Sequence, residues 1–284
     1  MGSEPATNLP FRWDLVRPDQ LGRLLDGCKA PDLWYLDELV GAAARVLARG
    51  ADSCLVFVGR SADSVFDLLS GVLADTDWSD RLARMPFSFR GDADDLTPTE
   101  VDQARAILAA CGTTPDRLAR AWQRTTFVDL VARGYTFTNL YRLMRDWTSE
   151  QRQPWNAVRR NLRFLGITGE EKPSPNTWRW HQHVDWTKEL PADSVLNVSI
   201  HTAVWGYFGN CQVKITRSFT PTEWTQPDPD GPRHDEKARQ ALAEAVALVE
   251  RGREPGTRRA IARTMAREPA FTEAWLRRLV TQLK

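Results

Sequence analysis

Fully apolar runs alternate along this chain with stretches whose apolar positions recur every three to four residues, a rhythm that predicts strands followed by helices. Residues 54–58, CLVFV, are apolar throughout and bounded by polar turn residues, as in a strand buried on both faces of a parallel sheet. Residues 127–131 and 163–168 read the same way, and 86–90, PFSFR, as a further strand. After the first run, Val65, Phe66, Leu68, Leu69, Val72 and Leu73 supply the inner face of a helix. After the second, Leu140, Leu143, Met144 and Trp147 fall at i, i+3, i+4 and i+7. Thr97-Pro98-Thr99-Glu100 is a capping box with proline at the first helical position, opening a helix to residue 110. Thr114-Pro115 opens another, 154–162 reads as a short basic helix, and two helices are expected upstream over 18–27 and 31–49. The alternating order predicts an α/β fold, a parallel sheet with helices on both faces.

The character changes at 169–176, GEEKPSPN, a loop by composition. From 178 to 224 the chain is rich in tryptophan, β-branched and turn residues, which predicts a β-rich elaboration with some antiparallel strands, ending in an irregular linker over 221–232. Strong helix formers then predict helices over 234–251, 258–267 and 272–283. The expected organisation is therefore an α/β core with N-terminal helices over 1–170, a Trp-rich β elaboration over 171–232 and a helical extension over 233–284.

Composition narrows the chemistry. The 284 residues carry 38 basic and 37 acidic side chains, a formal net charge of +1, so no global field points to nucleic acid or an anionic membrane surface. A small-molecule ligand is the better expectation. The four cysteines, Cys28, Cys54, Cys111 and Cys211, are far apart and show no CxxC spacing, so they read as reduced core thiols. No basic-then-apolar leader and no run of membrane-spanning length is present, which predicts a soluble, cytoplasmic protein.

The chemistry concentrates where the second apolar run ends. There a strand passes through a tight connection, Ala132, Arg133, Gly134, Tyr135 and Thr136, into a helix N-terminus. Such a turn aims backbone N–H groups and the positive end of a helix dipole at one point, which suits a phosphate. Asp129, just before it, is placed to accept hydrogen bonds from sugar hydroxyls, so the implied ligand is a phosphorylated sugar.

The stretch VDLVARGYT resembles the ribose-phosphate loop of type I phosphoribosyltransferases, with Asp129 in the place of the second acid and Val128 where the first acid usually stands. VFVGRSADSVFDLL similarly resembles that family's pyrophosphate loop. The resemblance implies a phosphoribosyltransferase-like fold and transfer of ribose 5-phosphate from phosphoribosyl pyrophosphate, carried with Mg2+, to an unidentified acceptor. By the resemblance Asp129 holds a ribose hydroxyl, and Ala132, Arg133, Gly134, Tyr135 and Thr136 hold the 5-phosphate. Arg60 neutralises pyrophosphate, with Gly59, Ser61, Ala62, Asp63 and Ser64 around it. The 171–232 segment would be the hood that selects the acceptor, with Trp178, Trp180 and His181, and beside them His183, Trp205 and Tyr207, as stacking residues, and a homodimer is compatible with the resemblance.

Other readings stay open. Val128 in place of an acid also suits a non-catalytic phosphosugar- or nucleotide-binding regulator. Gly59-Arg60-Ser61-Ala62-Asp63 nearly matches the GxSxG elbow of serine hydrolases, for which Ser61, Asp129 and His201 supply a triad in chain order. His181 and His183 would share one strand face, as metal ligands can, with His201 and Cys211 as candidates to join them, but no ligand set of diagnostic spacing follows and no metal site is assigned.

Overall fold

A computed structural model describes residues 9–170, 179–225 and 232–284. The start of the lead-in, most of the loop at 169–176, Trp178 and the middle of the 221–232 linker lie outside them. In chain order the helices and strands are α1 (Leu36–Gly50), β1 (Cys54–Val58), α2 (Asp63–Leu73), β2 (Leu82–Met85), α3 (Pro98–Ala110), α4 (Pro115–Arg120) and β3 (Thr125–Leu130). They continue through α5 (Tyr135–Glu150), α6 (Trp155–Arg160), β4 (Leu162–Gly169), β5 (Val195–Ile200), α7 (Thr202–Gly206) and α8 (Pro221–Trp224). Three C-terminal helices follow: α9 (Glu236–Arg253), α10 (Pro255–Met265) and α11 (Ala274–Gln282). None of the described helices is long and apolar enough to cross a membrane.

The five strands form one all-parallel sheet in the order β2-β1-β3-β4-β5. Its two faces are read directly from alternation along the strands. Leu55, Phe57, Val128, Leu165 and Val198 point into a core shared with α1, α2, α10 and α11, while Val56, Val58, Phe127 and Phe164 point into a second core with α3 and α5. Both faces are covered, which is why the central strands carry apolar runs rather than alternating ones. The α/β expectation holds in this form, an all-parallel sheet between two helical layers.

Several elements differ from expectation. Residues 18–27 form only a 3-10 turn, Pro18–Leu21, because Gly22 and Gly27 take positive φ and break the helix. The second strand is Leu82–Met85 rather than 86–90: Pro86 has no N–H for the ladder, and the Met85 carbonyl instead accepts from Gly59. The largest difference is in the Trp-rich segment. Its one strand among the described residues, β5, extends the main sheet parallel to β4 rather than pairing antiparallel in a hood. Of the aromatic residues expected on strands there, Trp180 and Trp186 lie on short 3-10 turns, where they fill the core against Phe137, Tyr141 and Phe164, and Trp205, Tyr207 and Phe208 lie on helical turns. Residues 207–211 form a π-helical turn after α7, and 212–220 are irregular. All four cysteines are free, and Cys211 is exposed rather than part of the core.

Candidate functional site

In this strand order the chain leaves β1 toward β2 through α2 on one face, and leaves β3 toward β4 through α5 on the other. The two connections diverge and open a crevice at the carboxyl ends of β1 and β3, the switch point where open parallel sheets place their ligands. Both stretches singled out in the sequence end there.

Two contiguous cavities occupy the crevice. The first, about 290 Å³, is lined by Asp129 and the whole connection from Ala132 to Thr136, with Trp205 and Asn210 closing it. The second, about 410 Å³, is lined by Gly59, Arg60, Lys214 and Phe219 among others. They share Ser61, Ser88, Arg90, Asp129, Gly209 and Asn210, so Asp129 sits where the chambers meet.

Asp129 is 7% exposed, and its Oδ1 accepts a 2.6 Å hydrogen bond from the Ser61 hydroxyl. Burial raises its pKa to about 7, while the bonds from Ser61 and the Leu130 backbone N–H, with the charges of Arg90 and Lys214, hold that rise in check. A carboxyl poised in this range can change protonation state when a ligand arrives.

The floor of the first chamber is the start of α5. Gly134 takes φ 81°, a left-handed conformation that only glycine adopts cheaply, and a Cβ there would lie 2.7 Å from the Trp180 ring. Among the described residues no side chain caps this helix, so the N–H groups of its first turn remain for a ligand in the cavity that Tyr135, Thr136 and Phe137 line. Arg133 and Arg90 are exposed and form no ion pair among the described residues, which adds positive charge at the rim. Asn139 of α5 holds the loop that carries Arg90 by donating to the carbonyls of Phe89 and Gly91, at 3.2 and 2.9 Å.

In the second chamber Arg60 donates to the Thr216 carbonyl at 2.8 Å, and burial lowers its pKa from the ordinary value. Gly59 and Ser61 line the wall, but Ala62, Asp63 and Ser64 do not reach it. Ala62 is buried, Asp63 pairs with Arg12 at 3.2 Å, and Ser64 accepts from Gln212 at 2.8 Å. These three shape the start of α2 rather than the cavity.

Among the described residues, Trp205 is the one expected stacking residue that lines a chamber. Trp180 is fully buried under Gly134 and Gly166, His181 lines neither chamber, and Trp178 lies outside the described residues. The segment expected to form a hood nevertheless supplies a wall. Trp205 donates to the Ile167 carbonyl at 3.2 Å and steadies the π-helical turn that carries Gly209 and Asn210. Ser88, Arg90, Gly209, Asn210 and Lys214 escaped the sequence reading because no motif spacing joins them to the two loops.

Ser61 meets Asp129 directly, and among the described residues no histidine lines either chamber. His201 caps α7 instead, its Nδ1 accepting from the Ala203 N–H at 3.3 Å. Among the described residues no three His, Cys, Asp or Glu side chains are grouped to hold a metal.

No protein-family model, curated protein or solved structure matches this chain.

Proposed function

We propose that the chain binds a ribose carrying phosphate at one end and pyrophosphate at the other, and transfers the ribose 5-phosphate unit to an acceptor. The observation that carries this reading is the pair of chambers meeting at Asp129, one floored by the uncapped start of α5 and the other lined by Arg60. A ligand anionic at both ends with hydroxyls between matches that distribution of donors and acceptor.

In this reading the 5-phosphate rests on the α5 N-terminus and the Thr136 hydroxyl, and the ribose hydroxyls donate to ionised Asp129. Arg60 and Arg90 meet the pyrophosphate, which arrives as its Mg2+ complex. The acceptor's lone pair forms a bond to the anomeric carbon as the carbon–oxygen bond to pyrophosphate breaks, and pyrophosphate leaves with that bonding pair. The chain's contribution is electrostatic stabilisation of the departing charge.

One observation favours a second reading, a binding protein without turnover. Val128 is fully buried in the core under α1 and α2, so the position of the family's first acid offers no carboxylate to the ribose. Isothermal titration with phosphoribosyl pyrophosphate and Mg2+ tests both. Saturable binding is expected, and Thr136→Ala should weaken it about ten- to hundredfold, the worth of one hydrogen bond to a charged group. Acceptor-dependent release of pyrophosphate separates the enzyme from the binder. No heat at millimolar ligand removes the phosphosugar assignment.

A further inference from the structure

The C-terminal helix α9 reaches the second chamber through a chain of side chains. Lys214 Nζ donates to Gln212 Oε1 at 2.5 Å, and the Nε2 of the same amide donates to Glu244 Oε1 at 2.7 Å and to Ser64 Oγ at 2.8 Å. Glu244 is itself anchored, accepting from the buried Tyr35 hydroxyl and from Tyr207 at 3.2 Å. An ammonium only donates and a carboxylate only accepts, so the amide between them has one workable orientation. Turned over, its oxygen would face the carboxylate and its NH2 the ammonium. Lys214 makes no ion pair among the described residues, and its one partner is a neutral oxygen. Its charge and its remaining N–H groups are therefore available to the cavity that it lines.

We propose that Lys214 is an anion-binding residue of the second chamber and that Glu244 is the positioning residue that holds it there through Gln212. This rests on the phosphosugar reading and deepens it: the C-terminal helices become part of the site, and the pyrophosphate end of the ligand acquires a contact outside both loops. The charged groups acting on Lys214 are Asp63 and Asp67 from α2, Arg60 from the loop after β1, Glu244 from α9 and Asp129 at the end of β3. Burial is the largest influence and lowers the Lys214 pKa to about 8, against which the Glu244 charge raises it.

The test uses the full chain and two probes, inorganic pyrophosphate for the second chamber and ribose 5-phosphate for the first. Lys214→Met should weaken pyrophosphate about ten- to hundredfold and leave ribose 5-phosphate near its wild-type affinity, while Lys214→Arg keeps most of the pyrophosphate binding. Glu244→Gln should weaken pyrophosphate in the same direction. It should also lower the titration midpoint of the Lys214 side chain, followed by NMR on lysine labelled at Cε and assigned with the Lys214→Arg variant. A spacer that only supports the fold would leave that midpoint where it is. Where Glu244→Gln does not fold, Gln212→Leu takes its place, with lost pyrophosphate affinity again expected. If wild-type protein binds both probes and Lys214→Met binds pyrophosphate normally, the Lys214 assignment is wrong and the phosphosugar reading stands. An unchanged midpoint in a folded Glu244→Gln variant removes Glu244 from the site. Wild-type protein that binds neither probe overturns the phosphosugar reading itself.

Discussion

Asp129 is the residue on which the site turns, and its burial has a thermodynamic signature. Its pKa in the fold is raised to about 7, whereas an aspartate in an unfolded chain titrates near ~3.9. Between these values the native state holds a proton that the unfolded chain has lost, so this group's contribution to stability is full below the lower value and falls as pH rises toward 7. Asn in its place can still accept from Ser61 and carries no charge to desolvate. Asp129→Asn should therefore gain melting temperature relative to wild type at pH 8, gain little at pH 4, and lose ribose 5-phosphate affinity. Asp67, also raised by burial, is present in both proteins and drops out of the comparison. Equal melting-temperature differences at the two pH values would mean that Asp129 is not a desolvated carboxyl. A gain in stability coupled to a loss of binding is the mark of a group retained for function.

At the scale of elements, the contact that sets the back of the site is α2 against α9. Two glycines let the backbones touch. A Cβ on Gly71 would lie 1.9 Å from the Val249 carbonyl oxygen, and one on Gly252 would lie 2.3 Å from that of Leu68. Backbone on both sides cannot swing away as a flexible side chain would, so Gly71→Ala forces the helices apart. Overpacking of this kind costs about 1–3 kcal/mol and sometimes more. The Gly256 position in α10 is the control, because among the described residues nothing lies within 4 Å of a Cβ there and alanine favours a helix. Urea unfolding should show Gly71→Ala strongly destabilised and Gly256→Ala unchanged or slightly stabilised. Because Gln212 spans from Ser64 in α2 to Glu244 in α9, spreading these helices should also disturb Lys214.

At the scale of the molecule, the C-terminal helices share one core with the sheet. Leu248, Ile261, Met265, Leu276 and Leu279 pack in the same cluster as Val65, Leu68, Leu69 and Val72 of α2 and Leu39, Val46 and Leu47 of α1. Removing residues 233–284 would uncover that face of α1 and α2, an apolar area too large to leave in water. The truncated chain should lose its cooperative thermal transition by circular dichroism. A sharp transition in the truncated protein would instead show that the sheet folds without these helices.

What sequence determined unaided is the set of elements whose cause is local. Strands β1, β3 and β4 and helices α2, α5, α9 and α10 follow from periodicity, and the capping box at Thr97 and the proline at Pro98 place the start of α3 where it is found. The connection from Ala132 to Thr136 was legible too, since its glycine and the helix it opens are neighbours in the chain. Strand order was not. Val195–Ile200 carries the same β-branched pattern whether it begins a separate hood or joins a sheet edge, and the open edge of β4 decided between them. Nor could sequence reveal the Ser61–Asp129 hydrogen bond, which joins residues 68 apart, or the path from Lys214 through Gln212 to Glu244. Trp180, which suggested a stacking surface, proved to be core, because a large ring loses more water-exposed area inside than on a rim. Periodicity records which face of an element leaves water, whereas the contacts that make a site depend on which elements come to share that face, and only the packed chain specifies this.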